Sequence, residues 1–235
     1  MIFWYVVWLG TLFLSTCVSS YYVKLTEKSD ATIALYCVYL ALSQILAVKI
    51  GLFKMGVTFV AAGAAMLYPF LYQLNDMMNE YFGEKATHRM IFVAFATQIF
   101  MVMALFLSIE LPAAEAEFPQ EVWRTLLWSG IRITGASWVA FLITNNLDAW
   151  LYPRIKKLTE GDHLWLRNAG SDAISLALDS IIFVPLAFGG QIPFNLLLSV
   201  ILGQTMTKYF FGLVDTPFLY LTRFIIDESF VDQKI

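Results

Sequence analysis

The sequence predicts an all-α, polytopic membrane bundle of about seven spans, and three observations carry that expectation. First, 59% of the 235 residues are hydrophobic and 14% charged, with a mean hydropathy of +0.68, against roughly 45–50% and 25% in soluble domains. A single soluble core of this length could not bury such an excess, so lipid must solvate much of it. Second, the apolar residues fall in continuous runs of roughly 17–25, the length of a helix that crosses a bilayer core. They do not alternate as lipid-facing barrel strands do. Third, Gly, Pro and charged residues collect between the runs, and a backbone in lipid must satisfy its own hydrogen bonds, which leaves helices for the runs themselves.

In chain order the expected spans are Ile2 to Ser20, Ala31 to Ile50, Val57 to Leu74, Met90 to Leu111, Leu126 to Leu147, Ala169 to Phe188 and Pro193 to Val214. The connections are Lys24 to Asp30, Gly51 to Gly56, Phe82 to Arg89, Pro112 to Arg124, Pro153 to Asn168, and the short Gly189-Gly190-Gln191 turn. No Lys or Arg precedes the first apolar run, so it lacks the basic flank of a secretory signal and reads as a retained span. No linker or internal repeat divides the chain, so one integral membrane domain over 1–235 is expected.

Basic residues are retained on the cytoplasmic side of membranes. Lys24, Lys28, Lys85, Arg89, Arg154, Lys156, Lys157, Arg167, Arg223 and Lys234 fall on one side, whereas Lys49, Lys54 and Arg124 fall on the other. The N-terminus is therefore expected outside and the C-terminus inside, with the acidic loop of Glu110, Glu115, Glu117 and Glu121 outside. The net charge of −3 gives no case for nucleic acid as a partner. Cys17 and Cys37 lie in apolar runs and His88 and His163 in separate connections, so neither a disulfide framework nor a metal-ligand spacing follows. No cofactor is expected.

An ionisable group at the bilayer centre costs at least ~2.5–3.5 kcal/mol, so such groups face a cavity or a partner and are functional candidates. The end of the third run carries Tyr72, Asn75, Asp76, Asn79 and Glu80 on one helical face, with Asn75 over Asn79 and Asp76 over Glu80; a helix end emerging into water is the plain alternative. Asn145, Asn146 and Asp148 close the fifth run, where they could read a heterocycle edge or anchor the helix at the interface. Asp172, Ser175 and Asp179 form one stripe of the sixth span. Gln204, Lys208 and Asp215 form one of the last, with Phe211 between them. Lys208 needs an anionic partner, which Asp179, Asp76 or Asp215 could supply, or else snorkels toward an interface, as Arg132 is expected to do. The Ala61 to Ala65 run with Gly63, and Gly135-Ala136-Ser137, fit close helix packing.

These blocks resemble a known family. Tyr68-Pro69-Phe70, followed by Asn75-Asp76-Met77-Met78-Asn79-Glu80-Tyr81-Phe82-Gly83-Glu84-Lys85, is similar to the Y-P…D-x-x-x-E-x-Y-G-x-K signature of the queuosine precursor transporters, also called vitamin uptake transporters. Asn145-Asn146-Leu147-Asp148, Leu164 to Asn168, Ser171 and Leu178 to Phe183 resemble its second block, although Asn145 stands where the family carries Gln. Lys208 and Asp215-Thr216-Pro217-Phe218 resemble its C-terminal block. The likeness runs from about Leu35 to Tyr220. It implies a six-helix core over about 31–222, with the first helix, about 1–24, as an addition.

The resemblance implies import of a 7-deazapurine such as preQ0 or preQ1, or of queuine, across the cell membrane. A guanine-like edge presents adjacent N–H donors that a carboxylate accepts, amides can read its carbonyl, and an aromatic ring can stack on its face. Asp76 and Asp179 are the expected primary contacts, assisted by Asn75, Asn79, Asn145 and Asp148, with Glu80 in the same block. Trp165 and Phe211 are candidates for stacking, and Lys208 for neutralising a buried carboxylate or coupling transport to a proton. The expected partners are this small molecule and the bilayer, with assembly into a homo-oligomer left open. Three other classes compete: a membrane-bound binding subunit served by a separate ATPase, a seven-helix retinal protein using Lys208, and an intramembrane enzyme. The chain has no Walker, HExxH or G-x-S-x-G motif.

Overall fold

Helix α1 (Ile2–Thr26) runs antiparallel to α2 (Asp30–Ala47) in a computed structural model that describes residues 2–55, 57–111, 119–128, 131–159 and 164–226. A two-stranded antiparallel hairpin follows, β1 (Ile50–Met55) with β2 (Val57–Ala62), in a register that pairs Ile50 with Ala62 and Phe53 with Phe59. A 3₁₀ segment (Gly63–Leu67) leads into α3 (Tyr68–Phe82). The remainder is helical: α4 (Glu84–Glu110), the short α5 (Gln120–Trp128), α6 (Ile131–Leu158), α7 (Leu164–Phe188) and α8 (Phe194–Ile225). Among the described residues five helices are long and apolar enough to cross a membrane: α1, α2, α4, α7 and α8. Helix α6 has the length, at 28 residues, but its second half carries Asn145, Asn146, Asp148, Arg154, Lys156 and Lys157. The all-α bundle expected from sequence is the architecture found, and the chain is a multi-pass membrane protein.

The third span departs from expectation. Val57 to Leu74 is not one helix, because its first third is strand β2, paired with a β1 that was expected to be a loop. The β-branched and aromatic residues Val57, Thr58, Phe59 and Val60 suit a strand, and Pro69 in the first turn of α3 starts a new helix with φ already set. The five-residue 3₁₀ segment and the 15-residue α3 together measure about 10 Å and ~22 Å along their axes. That is close to the ~30 Å of a bilayer core. The stretch with the length for a third crossing is therefore Gly63–Phe82, displaced toward the C-terminus from the expected position. Three other boundaries also move: α6 continues through Pro153, α7 begins at Leu164, and α8 continues through Pro217 to Ile225. Neighbouring helices can compensate the hydrogen bond that a proline removes.

Two glycines make these turns. Gly83 takes φ +82° between α3 and α4, a value that glycine adopts without a Cβ penalty. Gly63 donates its N–H to the Lys49 carbonyl at 2.6 Å, closing the hairpin back onto the end of α2. A Cβ built on Gly63 would lie 2.8 Å from the Leu46 carbonyl oxygen and 3.1 Å from that of Lys49. Gly63→Ala is expected to destabilise the protein by about 1–3 kcal/mol, the usual cost of overpacking. Gly10→Ala, with nothing within 4 Å, is the control. Equal melting temperatures of the two variants in detergent would refute the close approach.

Helix α1 is bonded into the bundle rather than appended to it. Trp8 Nε1 donates to the Met66 carbonyl (2.8 Å), and Gln73 Nε2 donates to Thr16 Oγ1 (2.6 Å). Ser19 pairs with Thr32 at 2.8 Å, and Ser20 donates to Thr222 at 3.2 Å. Small hydroxyl residues let helices approach closely where lipid supplies no hydrophobic drive between them. One end of the bundle collects basic residues: Arg154 of α6 meets Glu84 of α4 at 3.4 Å, and Lys156 meets Glu80 of α3 at 3.3 Å. The side chains of Lys54, Arg132, His163 and Arg167, and the loop with Glu115 and Glu117, lie outside the described residues.

Candidate functional site

Four helices bring polar side chains to one buried column. On α7, Asp172 and Asp179 are seven residues apart; on antiparallel α8, Lys208 and Asp215 have the same separation. Seven residues are two turns, or about 10.5 Å, so both pairs face each other across the α7–α8 seam at two levels. α3 supplies Tyr68 to one level, Asn75 and Asp76 to the other, and Tyr72 between them, while α6 supplies Asp148.

At the first level, Lys208 Nζ is in direct contact with Asp179 Oδ2. The Tyr68 hydroxyl donates to the same oxygen at 3.2 Å, and Nζ also sits 3.7 Å from the centroid of the Tyr68 ring. Lys208 is fully buried and Asp179 is 2% exposed. The lysine therefore does not snorkel. Of its three expected partners the structure selects Asp179, and the ring face adds a cation–π contact. Asp179 Oδ1 takes no part in either interaction.

At the second level, Asp76, Asp148 and Asp172 each place a carboxylate oxygen within 4.8 Å of the other two. Asp215 lies close enough for its charge to act on that of Asp172 and to feel those of Asp76 and Asp148. All four are buried. Asp148 accepts from Asn75 Nδ2 at 2.6 Å and from the Ser175 hydroxyl at 3.5 Å, and Ser171 adds a third hydrogen bond. Neither oxygen of Asp215 has a hydrogen-bond partner, nor does Asn75 Oδ1 or the Tyr72 hydroxyl. Oxygen ligands so spaced are of the type a hard cation takes, although no metal-ligand spacing stood out along the chain.

The expected contact residues divide accordingly. Asp76, Asn75, Asp148, Asp179 and Lys208 join the column. Asn145 sits beside it, accepting from the buried Tyr36 hydroxyl at 2.7 Å and donating to the Phe141 carbonyl at 3.2 Å. Asn79, one turn below Asn75, is buried with both amide atoms unpartnered. Glu80 is engaged by Tyr152 (3.2 Å) and Lys156 (3.3 Å) at the basic end, so it serves interhelix bonding there rather than the solvated helix end that was the plain alternative. Phe211 is packed on both sides, 4.8 Å from Trp8 and 5.6 Å from Phe53 between ring centroids, so it holds α1 and the hairpin to α8 and offers no face for stacking. Trp165 is half exposed at the start of α7, with its backbone N–H bonded to the Tyr220 hydroxyl, about 10 Å along the helix from Asp172.

Sequence reasoning placed Tyr72 on the polar face of the third run without naming it as a contact, and assigned no contact to Tyr36 or Tyr68. Their signal was weak: tyrosines are common in spans, and only Tyr68 stood in a recognisable motif. Asp172 and Asp215 were already aligned with Asp179 and Lys208 on their own helices. What could not be read was that the two stripes face each other.

A cavity of about 180 Å³ touches the column at Asp172 in the α7–α8 seam, lined also by Ala173, Leu176, Tyr209, Gly212 and Leu213. A separate cavity of about 480 Å³ opens where α1 begins and is walled by Trp4, Tyr5, Lys49, Phe53 and Met66 among others.

Residues 62–222 match the profile of a family described as putative vitamin uptake transporters. A probable queuosine precursor transporter of Bacillus subtilis (strain 168) is 25% identical over 162 residues, covering 68% of this chain and 71% of that protein. No solved structure matches. The matched segment contains the charged residues of the column, from Asp76 to Asp215, and leaves α1, α2 and β1 outside it. The chain belongs to the putative vitamin uptake transporter family, and it is a membrane transporter.

Proposed function

We propose that this protein imports a queuosine precursor, a 7-deazapurine of the preQ0 or preQ1 type or queuine, into the cytoplasm. The observation that carries the proposal is the column itself: carboxylates, a lysine, an amide and tyrosines converge from four helices inside the segment matched by the family. In this reading Asp76 accepts the adjacent N–H donors of the guanine-like edge at one level, Asp179 is a second polar contact two helical turns away, and Asn75, Asn79 and Asn145 assist. Asp148 assists from α6. Tyr68 and Tyr72, whose ring centroids are 6.1 Å apart, replace Trp165 and Phe211 as the aromatic surface. Binding sites of this kind combine an apolar lining with a few placed polar groups.

The test is uptake of radiolabelled precursor by the purified protein in liposomes, without other subunits and under an ion gradient. Accumulation competed by 7-deazapurines and not by ordinary nucleobases or vitamins is the expected result. Failure under the gradient, followed by rescue with an ATPase partner, would instead make the chain the binding subunit of a modular importer.

A further inference from the structure

The cavity of about 480 Å³ takes no part in the column, yet one layer of side chains separates the two. Trp4, Phe53 and Met66 stand on its wall. The rings of Phe53 and Trp4 lie 5.6 and 6.5 Å from that of Phe211 between centroids. Phe211 follows Lys208 by three residues on α8, a spacing that makes two side chains neighbours on a helix, about 5–6 Å apart at Cβ. A second connection runs through the start of α3. Met66 precedes Tyr68, the donor to Asp179, by two residues, and Trp8 both bonds the Met66 carbonyl and packs 4.8 Å from Phe211. Phe211 and Trp8 thus stand between the cavity and the Lys208–Asp179 level. The cavity opens at the start of α1, whereas the far part of that helix packs Val23 on Met77, Tyr81 and Ile226, beside Glu80 and the basic residues. Cavity and basic end are therefore at opposite ends of the bundle. Basic residues mark the cytoplasmic side, so a molecule imported toward them enters from the end that holds the cavity.

We propose that this cavity is an entry site for the transported base, which stacks there on the rings of Trp4 and Phe53 before it passes Phe211 to reach the column. This rests on the 7-deazapurine reading above and adds a second site to it. The volume falls within the roughly 300–1,000 Å³ of small-molecule pockets, and the wall has their composition, an apolar and aromatic surface with few polar groups. Trp4, Tyr5 and Phe53 supply π-faces for a flat heterocycle, and the Lys49 ammonium at the rim can donate to its carbonyl. Trp4, Tyr5, Lys49 and Phe53 all precede residue 62, where the family match begins. The entry site is thus built mainly by the part of this chain that lies ahead of the matched segment.

The experiment pairs uptake into liposomes with equilibrium binding in nanodiscs, using the full-length protein and a radiolabelled base. The base is 7-cyano- or 7-aminomethyl-7-deazaguanine or queuine, whichever the wild type takes up fastest. Trp4 is 39% exposed, and leucine keeps an apolar contact while removing the ring, so Trp4→Leu is expected to melt as the wild type does. It should raise the KM of uptake about fivefold or more, the loss of one base–ring stack, and Trp4→Phe should restore it. In Asp76→Asn, which loses its contact in the column, residual binding should remain, and Trp4→Leu/Asp76→Asn should lose it. A wild-type KM in Trp4→Leu overturns the entry site while the 7-deazapurine reading stands. That is also the result expected of a cavity filled by a lipid chain, which packs on leucine as well as on tryptophan. Asp76→Asn without residual binding overturns the entry site too. If the wild type neither binds nor takes up any of the three bases, the 7-deazapurine reading fails, and the entry site with it.

Discussion

Lys208→Met is expected to abolish uptake and to destabilise the bundle by about 3–5 kcal/mol, the cost of leaving one member of a buried ion pair without the other. Asp179 would then face the apolar interior with only the Tyr68 hydroxyl to stabilise its charge. The cost comes from the stranded carboxylate and not from the lost lysine volume, because Met fills nearly the same space. The double variant Lys208→Met/Asp179→Asn removes both charges together and should recover most of the stability. It should not recover transport, since Asp179 is itself a contact in the proposed binding mode. Thermal melting in detergent and liposome uptake measured on the same preparations separate the two effects. A single variant that melts like the wild type would show that the pair contributes nothing to the fold.

Asp76→Asn is expected to have the opposite signature: normal folding with transport lost. Its carboxylate shares its level with those of Asp148 and Asp172, all within 4.8 Å. Removing one negative charge from such a group relieves repulsion at no cost in volume. The amide, however, presents an N–H₂ where, in the proposed binding mode, the guanine edge presents its own donors. Uptake should fall roughly 30-fold or more, equivalent to a charged hydrogen bond worth about 2 kcal/mol or more. Surface fluorescence of a tagged protein should show unchanged amounts in the membrane. Wild-type rates in both Asp76→Asn and Asp179→Asn would remove these residues from the binding site.

The fold was legible wherever hydropathy alone decides, as for α1, α2, α4 and α7. It was not legible between Ile50 and Tyr68, because a short apolar run reads the same as a buried strand or as a helix segment. The pairing of β1 with β2 and the seat of Gly63 against Leu46 depend on contacts that no window of sequence contains. Prolines misled in the other direction. Pro153 opened an expected connection by local rules, yet α6 passes through it, and α8 runs on through Pro217 past the expected end at Val214.

The site was half legible for a related reason. Helical periodicity places Asp172 with Asp179, and Lys208 with Asp215, but it says nothing about which stripe meets which. Lys208 had three candidate partners, and only the packing of α7 on α8 chooses Asp179. Phe211 shows the limit most clearly: its position in the polar stripe suggested a ligand contact, whereas the aromatic rings of Trp8 and Phe53 occupy its faces. Trp8 comes from α1, which lies outside the segment the family profile matches.

The hairpin has a topological consequence. Because Gly63 returns to bond Lys49, strands β1 and β2 leave and re-enter at one level and contribute no net passage through the bilayer. They are silent in the alternation of sides that the helices impose. Lengthening or trimming them would leave the polarity of every downstream segment unchanged, whereas loss of any one crossing helix would invert it. The expected sidedness of the basic residues does not depend on where the third span begins, because shifting its start along the hairpin adds or removes no crossing.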